Sequence, residues 1–323
     1  MNEQLLRVCE EFIDNKELMR EEFHWQNSLI YPVCGYIFMA YKQMPDIEML
    51  RICRQILKEH AGWFSYFRGN GELIFTTLLA TSNDPGLKME LSDRAYDALK
   101  EYFSSSSSLP LAAMILAEYV PEDQYEVISY EANHVYRRLK EGHFFITGEE
   151  DVCFAVLLAL YIHDRKSGFL YDEMTEEIET AFYQLKSEFP FHGNAMQSVS
   201  HVLYMCDGSL EQKINNVLDL YDALYDVDLK YGKDYEMVAL GILANLGIEK
   251  KQIVLDLLEI DGFLQGQEGY GFLGFSRRTR LLHCVMICAA YYMNETTQLT
   301  SAFILGVLME IRQQQAAAAA AAA

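Results

Sequence analysis

Two kinds of helical pattern alternate along the chain. In the first kind, apolar residues recur at i, i+3, i+4 and i+7, so one face is apolar and the other wet. The stretches "IEMLRICRQILKEH", "YEVISYEANHVYRRLKEG" and "SLEQKINNVLDLYDALYDV" follow it. The second kind is apolar nearly all round and rich in Ala, Gly, Cys and Ser, as in "LIYPVCGYIFMAY" from Leu29, "LIFTTLLATS" from Leu73 and "LPLAAMILAEY" from Leu109. Four more follow: "VCFAVLLALY" from Val152, "AMQSVSHVLYM" from Ala195, "MVALGILANLG" from Met237 and "LLHCVMICAAYY" from Leu281. A helix with no wet face is buried on all sides. No alternating strand pattern of any length interrupts the series, so the fold class is all-α.

The starts of the buried helices recur every ~35 to 45 residues, the period of a helical hairpin that pairs one inner helix with one amphipathic outer helix. About seven such hairpins are expected, stacked so that the inner helices form one layer. Because those inner helices are nearly bare of charge, the expected closure is an α/α toroid or a tightly curled superhelix rather than an open solenoid. Residues 1–312 then form a single helical-repeat domain. The serine run Ser104–Ser108 reads as a loop leading to an N-cap, with Pro110 just inside the next helix. The Gln/Ala-rich tail, 313–323, continues the preceding helix by propensity, though it has no face to bury.

Charge narrows the partners. The 323 residues carry 26 Lys and Arg against 47 Asp and Glu, a net charge of -21. A polyanion with no segregated basic patch repels phosphate backbones, so nucleic acid is not expected as a partner. No apolar run reaches the ~18 residues of a membrane span, and the N-terminus lacks a basic flank followed by an apolar stretch. Cysteines Cys9, Cys34, Cys53, Cys153, Cys206, Cys284 and Cys288 fall mostly inside apolar runs, reading as buried reduced thiols in a cytoplasmic protein. Cys284 and Cys288 share a helix face beside His283, but one helix supplies too few ligands for zinc, so neither metal nor cofactor is expected.

Within this frame, polar residues at the starts of the inner helices are the candidate chemistry. Thr147 and Glu150 match a T-x-x-E capping box, and Glu149 and Asp151 add negative charge at the positive end of the helix dipole. The cluster exceeds what a cap requires, and His143 could pair with Asp151 as acid and base. Asn194 and Gln197 repeat the box in its weaker N-x-x-Q form, while Gln197, Ser198 and His201 put polar groups into a buried helix, where each needs a partner. Arg68 and Asn70 open another inner helix within a Gly-containing turn. Arg277, Arg278 and Arg280 follow the Gly-rich, aromatic loop "LQGQEGYGFLGFS"; three cations at a helix start oppose the dipole and so call for acids or an anion. Regular hairpins bring these starts to one rim, whose expected binding residues are Arg68, Asn70, His143, Glu150, Asp151, His192, Gln197, His201, Arg277 and Arg278. No phosphate loop and no G-x-S-x-G nucleophile elbow is present.

The ordered set "WFSYFRGNGELIFTTLLA", "HFFITGEEDVCFAVLLALY", "NAMQSVSHVLYM" and "YEMVALGILANL" resembles the uncharacterised bacterial family DUF4003, over most of the chain. The resemblance implies a bacterial, helical, cytosolic protein and brings no catalytic residue with it. Two functional readings stand. One is a non-enzymatic helical-repeat scaffold binding a protein or peptide; the other is a toroidal enzyme or small-molecule binder using the rim, with His143, His201, Glu150 and Asp151 as acid and base groups. The sequence does not set the oligomeric state.

Overall fold

The structure, a computed structural model, describes residues 1–24, 26–60, 71–142, 148, 151–165, 170–271, 274–293, 295 and 297–322. Among these residues there are fifteen α-helices and no strand. They are α1 Glu3–Glu22, α2 Ile30–Ala40, α3 Ile47–His60, α4 Glu72–Ala80 and α5 Pro85–Lys100. Next come α6 Leu109–Tyr119, α7 Tyr125–Gly142, α8 Asp151–Asp164, α9 Leu170–Glu188 and α10 Gly193–Met205. The series ends with α11 Leu210–Asp226, α12 Glu236–Ala244, α13 Lys250–Gln265, α14 Arg277–Tyr292 and α15 Gln298–Ala322.

The chain divides into two compact units. The second unit comprises Glu22–Gln26 and Tyr41–Glu176, and its helices pack in sequential pairs: α3 on α4, α5 on α6, α7 on α8. In each pair the amphipathic partner touches the core with a narrow stripe. On α3 that stripe is Leu50, Cys53 and Leu57, spaced by three and four residues as a helix face requires. Its partner α4 is buried at every position from Leu73 to Ala80. Boundaries follow local chemistry: the Asp84 carboxylate accepts from the Leu87 amide at 2.9 Å, with Pro85 at the first helical position, where a missing N–H costs nothing. Ser108 stands at the N-cap position of α6, although its hydroxyl makes no capping bond there.

The first unit comprises Met1–Glu21, Asn27–Ala40 and Glu177–Ala323. Its centre is α12, buried at all nine positions and packed against α10, α11, α14 and α15. The seven segments read as buried helices all form helices, and α15, the helix expected to run into the Gln/Ala-rich tail, adds an eighth that is buried: every residue from Ala302 to Ile311 is buried. That helix also lies on α2, where Tyr36 and Phe303 stack with centroids 5.0 Å apart. Gly306 allows α15 to approach α12 closely, since a Cβ there would stand 2.5 Å from Val238 Cγ1. The tail continues α15 as far as Ala322.

Two expectations are corrected. The N-x-x-Q box is absent: α10 begins at Gly193, with His192 at the cap position, and Asn194 lies inside the helix, where its carbonyl accepts from Ser198 Oγ at 3.3 Å. The inner layer, expected to be nearly bare of charge, also holds buried acids beside the segments read as apolar: Asp151 and Glu236 at helix starts, and Glu310 on α15. All seven cysteines are free and buried.

Candidate functional site

At the start of α14, Ser276 caps the helix by accepting from the Thr279 amide at 3.1 Å, and the arginines that follow reach outward to acids. Arg277 donates to both the carbonyl and the carboxylate of Asp228, and Arg280 Nε donates to Asp261 Oδ1 at 2.7 Å. Arg278 sits among three acids: its Nη2 lies 2.8 Å from Asp234 Oδ2, 2.7 Å from Glu236 Oε2 and 2.9 Å from Glu310 Oε1, while its Nε lies 2.5 Å from Glu236 Oε1. His192 Nδ1 meets the other oxygen of Asp234 at 2.7 Å. Acids thus answer the unfavourable dipole of α14.

One guanidinium cannot neutralise three carboxylates, and Glu236 and Glu310 are each 1% exposed. Burial, followed by the hydrogen bond and repulsion from Glu310, raises Glu236 to about 8 against the opposing pull of Arg278. Glu236 therefore holds a proton at neutral pH, so that its carboxyl does not face Glu310 as a like charge. Asp234 behaves oppositely: burial raises it, but hydrogen bonds from His192 and Arg278 outweigh that and hold it below the usual carboxylate range. Gly232 makes room for the cluster, because a Cβ there would lie 1.3 Å from Glu236 Oε1 and 2.6 Å from Arg278 Nε. Chemically the arrangement is a clamp. It ties the starts of α10, α12 and α14 to the body of α15, and its two glutamates are too enclosed to meet a substrate.

Beside the clamp two described residues of the Gly-rich loop, Gly269 and Phe275, meet. The Phe275 amide donates to the Gly269 carbonyl at 2.7 Å, and Gly269 has φ of +86°, in the region that glycine tolerates best. Between this turn, α1 and the start of α2 lies a cavity of about 410 Å³. Lys16, Glu17 and Arg20 form its α1 wall, and Phe275, Ser276 and Thr279 its opposite side. Lys16 is buried, with Nζ 2.6 Å from Glu17 Oε1, 3.3 Å from the Glu268 carbonyl and 5.0 Å from the Tyr270 ring centre. Arg20 reaches Glu17 at 2.5 Å and Glu268 at 3.2 Å. Behind the loop, the Tyr270 hydroxyl bonds His283 Nδ1 at 2.8 Å. Burial and the nearby Lys16 ammonium push His283 down to about 3, so its imidazole stays neutral. With His283 engaged by Tyr270, and burial pushing the Cys284 and Cys288 thiols well up, that helix face is core.

Of the rim residues, the structure joins His192 and Arg278 through Asp234 and sets Arg277 on Asp228. Gln197 and His201 are buried further along α10, and both are engaged. Asp151, in the second unit, accepts from the Gly148 amide at 2.7 Å, a capping contact at the start of α8. Arg68, Asn70, His143 and Glu150, with Thr147 and Glu149, lie outside the described residues. The α1 wall of the cavity was not anticipated, though the signal was present: Lys16 falls on the apolar stripe of Cys9, Phe12 and Met19, where a lysine has no reason to be unless something polar meets it. A second groove, about 330 Å³, runs along α7 between Tyr130, His134, Arg137 and Glu141 in the second unit.

The described residues form an all-helical chain whose first unit carries a polar cavity beside a buried ionic clamp. The particular family is DUF4003, described as a protein of unknown function: its model matches residues 15–316, and the chain belongs to it. No curated protein and no solved structure matches the chain.

Proposed function

We propose that this protein is a small-molecule-binding protein whose ligand occupies the cavity between α1, the Gly-rich loop and the start of α14. One observation carries the reading: a buried lysine in an ion-paired wall faces a cavity of about 410 Å³, within the size range of ligand pockets. The helical hairpins act as the scaffold, in an arrangement of the toroidal or tightly curled kind. The role is binding rather than catalysis, because the titratable groups beside the cavity are consumed by one another. Seven free, buried thiols support a reducing, cytoplasmic setting. The test is a thermal-shift screen of the purified protein against a library of metabolites. A ligand that raises Tm for the wild type but not for Ser28→Phe, which plugs the cavity mouth from an exposed position, supports the proposal; no ligand, or one indifferent to the plug, refutes it.

A protein or peptide partner is the second reading, favoured by Phe191, which stands 93% exposed in the turn before α10. Co-purification of a stoichiometric partner that Phe191→Ser loses would support it.

A further inference from the structure

We infer that the cavity's ligand is an uncharged polyhydroxylated ring of monosaccharide or cyclitol size. This rests on the binding role proposed above and names the ligand class of the same site.

Charge balance comes first. The α1 wall carries two cations, Lys16 and Arg20, and they meet two carboxylates, Glu17 and Glu268, at 2.5 to 3.2 Å. An entering anion would have to displace one of these carboxylates or lie beside it, and a chain of net charge -21 adds repulsion at a distance. A cation finds no carboxylate to spare, since each of these is already paired. The ligand that fits without breaking the wall is neutral.

Hydrogen-bonding capacity decides the kind of neutral ligand. A guanidinium has five N–H donors; Glu17 and Glu268 engage two of the terminal nitrogens of Arg20 and leave donors over. A carboxylate oxygen offers about two lone-pair sites; Glu17 Oε2 is buried on Arg20, while Oε1, on Lys16, keeps acceptor capacity. The rest of the lining adds the hydroxyls of Ser28 and Ser276. A wall with spare donors and spare acceptors side by side matches a group that is both at once, which is the hydroxyl. Hydrogen bonds to charged partners are the stronger ones, so such a wall holds ligand hydroxyls firmly without a change in its net charge. The half-buried Phe275 ring supplies an apolar surface for the C–H face of a ring.

Isothermal titration of the wild type with myo-inositol and a set of neutral hexoses, and separately with inorganic phosphate, citrate and glycine, tests this. A neutral polyol should bind with an affinity that changes less than twofold between 20 and 300 mM NaCl (roughly the span over which screening acts). Arg20→Ala and Phe275→Ala should each weaken it at least tenfold, about 1.4 kcal/mol. The exposed Ser28→Phe should abolish it in a protein whose circular dichroism is unchanged. Binding of phosphate, citrate or glycine that Ser28→Phe abolishes, with no neutral polyol binding, overturns the ligand class and leaves the binding site standing. Absence of any Ser28-dependent binding overturns both.

Discussion

At the scale of single residues, two glycines respond oppositely to the same change. Gly232 lies under the clamp, and Gly232→Ala drives a Cβ into Glu236 and Arg278, both held by several partners and unable to yield. It should destabilise by about 3 kcal/mol, the range for overpacking a site or breaking a buried ionic contact. Gly262, inside α13, has nothing within 4 Å of its would-be Cβ and is exposed. Gly262→Ala should stabilise by up to ~1 kcal/mol through helix propensity alone. Urea denaturation of both variants checks the pair of signs. The clamp itself is read by pH. Glu236 has a folded pKa raised from 4.5 to about 8, so its contribution to stability is fully present below about 4.5 and is lost as pH rises through about 8. Asp234, held low, contributes in the opposite sense, its share being lost only on strong acidification. Glu236→Gln keeps the neutral, protonated shape and removes the titration. The gap in unfolding free energy between variant and wild type should therefore move in the variant's favour from pH 5 to pH 8.5; an unchanged gap would show that Glu236 is not raised.

At the scale of elements, the all-round apolar segments were legible because a helix with no wet face has one physical fate. The burial of α15, a helix that was expected but not as a buried one, shows the limit of that rule. In α15 the buried stretch Ala302–Ile311 runs without a break into a Gln/Ala tail, so the polar and featureless half masks the apolar half. The clamp was half legible: three arginines at a positive helix end demand acids, and acids are there, but nothing local in "YEMVALGILANL" distinguishes a buried Glu236 from an ordinary first-turn acid. Its partner Glu310 comes from a helix 74 residues away in number, which only tertiary packing brings near. The close approach of α15 and α12 gives a test at this scale. Gly306→Ala places a Cβ against Val238 and should cost ~1–3 kcal/mol. Val238→Ala alone opens a small void. Together the two should recover stability, giving a coupling of at least ~0.5 kcal/mol in a double-mutant cycle; strict additivity would mean the helices shift apart and do not touch there.

For the molecule as a whole, the excess of acids sets a background that no local ion pair removes. Lys and Arg side chains pair with carboxylates across the fold, yet 47 acids against 26 bases leave a net charge of -21. Like charges at that density repel in the compact state more than in the expanded chain, so the folded protein carries a self-repulsion that screening relieves. Screening lengths fall from ~30 Å at 0.01 M salt to ~8 Å at 0.15 M, a change on the scale of the spacing between surface acids in a folded domain. Exposed salt bridges weaken over the same range, but each contributes little, and their loss is smaller than the relief of a many-charge repulsion. Raising NaCl from 0.01 to 0.2 M at pH 7.5 should therefore raise Tm, by roughly 2–4 °C for each 1 kcal/mol of repulsion relieved. The same salt step at pH 5, where carboxylate protonation begins to lower the net charge, should give a smaller rise. Differential scanning calorimetry at both pH values separates this from a specific ion effect, since an anion or cation bound at one site would stabilise by an increment set by its own affinity that keeps rising with concentration after screening is complete.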